Sequence, residues 1–208
     1  MNLSNIRRIT EFAVVLVCII GWLAYKSVAA TKTEVFIYQP SVDWKKSPIK
    51  YLFIKKEKDI WEISIVFSRE VHPLSIGNLL STIYRKVVFR RKEDIETFMI
   101  KQMGDKLFVS FPNTYSGNQV LDSILPYHRS KTFELAKNSK IAIYINTWNH
   151  LMSIKDSNPN LPKVVCLFTL PPTKNATCYI SEQEGMFLIP IIPGGRMVAE
   201  NFVKGKIQ

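Results

Sequence analysis

The sequence predicts an α+β domain behind an N-terminal membrane helix, and three observations carry that expectation. An apolar run at residues 12–25 follows Arg7 and Arg8. Short segments rich in β-branched and aromatic residues, several alternating apolar with polar, recur from residue 33 to residue 192. Between the early and late groups of strands lie segments whose apolar residues repeat at helical spacing. Strands first, helices in the middle and strands again favour an α+β domain, with a mixed or largely antiparallel sheet and two to four helices, over regular alternation.

Taken in order, the apolar run is the first element. Its fourteen uncharged residues span about 21 Å as a helix, short of a hydrocarbon core of roughly 30 Å. Continued to Ala30 it reaches about 28 Å, with Lys26 snorkelling and Trp22 and Tyr25 at interfacial depth. Residues 1–30 therefore read as a signal anchor, with cleavage after the small residues of Ser27-Val28-Ala29-Ala30 as the alternative. Either way Arg7 and Arg8 keep the N-terminus on the cytoplasmic side. Residues 31–208 then form one extracytoplasmic domain, large enough to bury its own core.

Within that domain, residues 33–40, 49–56 and 59–67 read as strands, and Trp61, Ile63, Ile65 and Phe67 share one face at period two. After Pro73 the period changes. Ile76, Leu79, Leu80, Ile83, Tyr84 and Val87 form one stripe of an amphipathic helix. A second helix is expected over 92–103, carrying Ile95, Phe98, Met99 and Met103 and stopping at Gly104. Residues 106–112 return to strand, helical turns are expected at 117–125 and 130–137, and 140–148 is again a strand. The proline-interrupted stretch 149–163 reads as a long loop. Strands at 163–170, 177–181 and 186–192 and a terminal helix over 194–203 complete the chain.

The formal charge is +11. Beyond residue 30 there are 25 Lys and Arg against 16 Asp and Glu, a net +9, most of it before residue 93. Such a field attracts acidic protein surfaces or anionic lipid and is silent about fold. The densest basic run contributes Arg85, Lys86, Arg90, Arg91 and Lys92 near a helix end, where the helix dipole favours cations. No nucleic-acid signature accompanies it, so nucleic acid is not an expected partner.

Catalytic patterns are missing. Ser47-x-x-Lys50 has the spacing of a serine–lysine acylase, but that chemistry needs the serine on a helix one turn from the lysine, and Lys50 enters a strand pattern. There is no nucleophile elbow, phosphate loop or metal-ligand spacing, so no enzyme activity, cofactor or metal is expected. The most polar aromatic groups are Tyr127, His128 and Arg129 with Trp148, Asn149 and His150. Brought together, they could bind an anionic or sugar-like ligand through Arg charge and Trp stacking. Cys166 and Cys178 flank a turn near Pro172, and a hairpin there would set them opposite one another as a disulfide requires, with two buried free thiols on neighbouring strands as the alternative. Asn175-Ala176-Thr177 is an N-glycosylation acceptor pattern if the chain enters a eukaryotic secretory pathway. The leading functional expectation is a non-enzymatic single-pass membrane protein whose outward domain is an interaction or structural subunit, with other membrane or envelope proteins as partners. An exported ligand-binding protein or enzyme using the Tyr/His/Arg and Trp/Asn/His groups is the alternative.

Overall fold

A computed structural model describes residues 32–89, 91–137, 140–179 and 186–205. Among these residues, eleven strands and three α-helices follow in the order β1 (Thr33–Pro40), α1 (Ser41–Trp44), β2 (Ile49–Glu57), β3 (Ile60–Phe67), α2 (Ser75–Tyr84), a π-helical turn (Arg85–Phe89), β4 (Asp94–Met103), β5 (Lys106–Phe111), β6 (Lys131–Ala136), β7 (Ile141–Ile145), β8 (Met152–Ser153), β9 (Lys163–Leu170), β10 (Asn175–Tyr179), β11 (Met186–Pro193) and α3 (Arg196–Val203). The strands form one sheet, ordered β6-β5-β4-β3-β2-β11-β10-β9-β1-β7-β8, which curls into a half-barrel. Among the described strands, only β1 with β7 and β11 with β2 run parallel.

The α+β expectation is corrected by this architecture: the described residues are mostly sheet, with little helix. The chief reason is residues 92–103, expected as a helix and found as the central strand β4. Its apolar positions suit both periods, but β4 is covered on both faces, so the alternation that marks a strand is hidden. Phe98 and Ile100 face the interior of the curl, whereas Ile95 faces α3. Residues 131–136, expected as helical turns, pair with β5 as an edge strand. The expected single-pass membrane placement is corrected as well. Among the described residues no helix is long and apolar enough to cross a membrane, and the expected anchor at residues 1–30 lies outside the described residues.

The core fills the concave side of the curl. Ile37, Ile143, Cys166 and Phe168 from one half meet Ile63, Ile65, Phe98, Val109 and Phe111 from the other. The stretch read as a loop supplies β8, the last strand. It is met by the segment after β5: Tyr115 bridges to Met152, while Ser116 N–H donates to the Met152 carbonyl and Met152 N–H to the Thr114 carbonyl at 2.8 and 2.7 Å. These bonds satisfy backbone groups that a bare edge would leave open.

The convex side is treated unequally. Over β2–β4 it is covered by α3, where Val198, Phe202 and Val203 pack on Tyr51, Phe53, Val66 and Ile95. The helix starts where Arg196 N–H donates to Glu62 Oε1 at 2.7 Å, a cap supplied from β3. Gly195 permits that approach, because a Cβ there would meet the Glu62 carboxylate at 2.6 Å.

Candidate interaction surface

The helix α2 forms where the apolar period predicts, yet it presents its stripe to solvent. Leu79 is 63% exposed, Leu80 62%, Ile83 51% and Val87 71%. An amphipathic helix of a globular domain normally turns that stripe inward. Here the helix is seated through a different side: at Gly77 an added Cβ would meet the His72 ring at 2.4 Å, and His72 packs on Trp148 with ring centroids 4.5 Å apart. His72 also ends the preceding turn by accepting from Leu74 N–H at 3.0 Å. The glycine lets the helix rest on His72, which leaves the leucines unpartnered among the described residues. Tyr84 and Phe89 then meet edge to face at 5.7 Å across the π turn.

At the end of this arm three of the basic residues singled out in the sequence converge. Lys86, Arg91 and Lys92 line a groove of about 390 Å³ with Glu93 and Val203. Arg91 is largely buried, with its guanidinium 5.8 Å from the Phe89 ring centre, so it is part of the floor and not a free surface cation. Glu93 pairs with Lys50 at 3.4 Å. Arg85 lies in the π turn, and Arg90 lies outside the described residues.

The two polar triads differ in exposure. Tyr127 and Arg129 are exposed, with the guanidinium 4.3 Å over the Tyr127 ring, and His128 Nδ1 lies 2.8 Å from the Asn113 carbonyl oxygen. Trp148 donates its indole N–H to the Ser123 carbonyl. Asn149 and His150 are turned into the core, with His150 wholly buried, so neither reaches a molecule held at residues 127–129. Cys166 and Cys178 face each other in register across β9 and β10, with their sulfurs 2.07 Å apart. Asn175 opens β10 and is exposed.

Sequence reasoning missed the environment of His150. Its ring lies flat on Phe67, centroids 3.7 Å apart at 2°. Nδ1 lies 2.8 Å from Asp94 Oδ2 and Nε2 3.7 Å from Asp43 Oδ2. Burial pulls the imidazole down, but the Asp94 hydrogen bond and the charges of Asp43, Asp94 and Glu70 together hold it above its ordinary value. Burial pushes the Asp43 carboxyl up, against the charge of His150 and a 2.6 Å hydrogen bond from Gln39 Nε2. The signal was weak: Asp43 sits in a four-residue helix and Asp94 in a segment read as helical, so nothing placed them beside position 150.

A second apolar surface lies on the uncovered half of the convex side. The register aligns Tyr144, Tyr38, Val165, Tyr179 and Met186 in one row across β7, β1, β9, β10 and β11. Ala142, Phe36, Leu167, Thr177 and Leu188 form the next. Tyr179, Met186 and Leu188 are exposed and the others half-buried.

No family model matches the chain, and the searches of curated proteins and of solved structures likewise return no match.

Proposed function

We propose that this domain is a non-enzymatic interaction or structural subunit of a protein assembly, docking through α2. The observation that carries the reading is the outward stripe. Leu80, Ile83, Tyr84 and Val87 stand at i, i+3, i+4 and i+7, all more than half exposed. That is the anchor pattern of a helix laid into an apolar groove. A contiguous apolar ridge of this kind is costly to leave in water and marks a contact surface more often than chance exposure does. The basic groove beside it adds a polar rim, the usual surround of a buried apolar contact.

A photo-crosslinking residue at position 83 of the full chain, in cells that make it, tests the reading. The expected result is a discrete adduct that disappears when Leu79 and Val87 are changed to Asp. A probe at Leu125, 84% exposed but outside the stripe, serves as the comparison. Equal, diffuse labelling from both positions would overturn the proposal.

A further inference from the structure

The α2 arm and the groove at its end carry a single sign of charge, and that charge is placed at one end only. We propose that the arm docks into an apolar groove of a second protein whose rim is acidic at one end, where Asp or Glu side chains meet Lys86 and Lys92. This rests on the reading of α2 as a docking element and adds the partner's chemistry and its direction.

Residues 71–92 contain five Lys and Arg and no Asp or Glu. A solvated surface normally mixes the two signs, because a single-sign field repels itself. The first acid after the run, Glu93, lines the groove but is paired with Lys50 at 3.4 Å. Lys86 and Lys92 are exposed on the groove walls, above the buried Arg91. The space between them, about 390 Å³, is a hollow beside the ridge of Leu79, Leu80, Ile83 and Val87. Ridge and hollow together call for a partner that offers an apolar groove and, next to it, a projecting anionic side chain.

Along the arm the charge is polarised. Residues 73–84 hold no Lys, Arg, Asp or Glu, and all five cations fall within residues 85–92. A helix lying on anionic lipid carries cations over its whole polar face. Cations confined to one end suit a protein groove that is apolar along most of its length and acidic at its end. Such a groove takes the arm in one direction. Reversed, the basic end would lie against apolar walls and the partner's carboxylates beside Leu79 and Leu80, leaving both sets of charges buried and unpaired. The net +9 of residues 31–208 acts at longer range, drawing in an acidic protein and repelling a second copy of this chain.

The test uses the full chain in cells that make it. Light first fixes the partner through the photo-crosslinking residue at position 83, and a carbodiimide is then applied to the isolated native adduct. Carbodiimide joins an amine directly to a carboxylate in contact. Peptide mapping is expected to find Lys86 or Lys92 joined to an Asp or Glu of the protein held at position 83. Lys86→Glu with Lys92→Glu is expected to lower the position-83 adduct about tenfold or more, because like charges then meet at the rim. Lys86→Arg with Lys92→Arg should keep the adduct and lose the carbodiimide linkage, since the charge remains and the amine does not. Lys56→Glu with Lys101→Glu changes net charge equally at the opposite ends of β2 and β4 and should leave the adduct unchanged. Thermal unfolding checks each variant, and Lys92→Glu alone replaces the double reversal if that unfolds. An adduct that survives the reversal overturns the acidic partner and leaves the docking function standing. So does a carbodiimide map without Lys86 or Lys92, or an adduct with a second copy of this chain. A position-83 adduct with lipid, or no adduct, overturns both.

Discussion

His150 and Asp94 form a buried ion pair: Nδ1 lies 2.8 Å from Oδ2, and the two side chains are 0% and 3% exposed. The pair joins the turn before β8 to the first residue of β4, 56 positions apart in sequence. It holds together the two halves of the curl at the point where β8 meets the segment after β5.

Stability should therefore fall as pH rises above the ordinary histidine range. Because the folded imidazole is held above 6.5, folding takes up a proton. The stabilisation is complete below about 6.5 and is lost as pH climbs through the folded value. Asp43 works in the same direction, since its raised carboxyl favours the protonated form in the fold, although its window starts lower, near 3.8. Glu70 also faces this cluster and adds to the rise at His150, whereas Lys46 opposes the rise at Asp43. Urea titrations at closely spaced pH values should show the midpoint dropping on the alkaline side. A flat profile from pH 6 to 9 would contradict a charged His150.

Asp94→Asn should cost about 3–5 kcal/mol, the usual penalty for breaking a buried pair from one side. It should also flatten the alkaline slope, because the largest force raising the imidazole is the Asp94 hydrogen bond. The slope separates this from simple loss of packing, which would lower stability equally at all pH.

The bridge between Cys166 and Cys178 closes a short loop, with a sequence separation of 12. Opening it by Cys178→Ala should cost about 2–4 kcal/mol on chain-entropy grounds. Thermal melts with and without reductant should reproduce the difference in wild type only.

Most strands were legible from their β-branched and aromatic content. In β3 the period of two shows as well, because Glu62 and Ser64 alternate with Trp61, Ile63 and Ile65. In β4 it did not show, because α3 covers Ile95 while the curl covers Phe98, and the resulting run fits a helix equally well. The disposition of the strands was illegible for another reason: β1 borders β7 and β9, which follow it by more than 100 residues, and no local pattern encodes that pairing. For α2 the sequence shows the stripe but not its direction. Direction depends on Gly77, where a missing side chain lets His72 in. The groups around His150 were invisible because burial, not spacing, gives them their meaning.

Gly195→Ala should lower stability by about 0.5–2 kcal/mol, since the new Cβ would push the Glu62 carboxylate, the far end of a flexible side chain, off the Arg196 N–H that it caps. The backbone there has φ −100, a value any residue adopts, so the penalty is steric. Pairing the change with Glu62→Ala, which removes the obstructing carboxylate, should recover part of it. Additive losses in the double variant would show that the clash is not the cause.

The arm supplies the sharpest contrast between folding and function. Replacing Leu80 and Ile83 by Ser removes large apolar groups from an element whose stripe is already in water, at 62% and 51% exposure. Such changes should move the urea midpoint by no more than about 0.5 kcal/mol equivalent. The same replacement at Ile63, fully buried against both halves of the curl, should cost several times more, roughly 3–5 kcal/mol with the added buried hydroxyl. If the arm variants are as stable as wild type and yet lose the position-83 adduct, the stripe is kept apolar for contact and not for the fold. If they unfold with Ile63→Ser, the stripe belongs to the core of the folded chain, and the docking function falls with it.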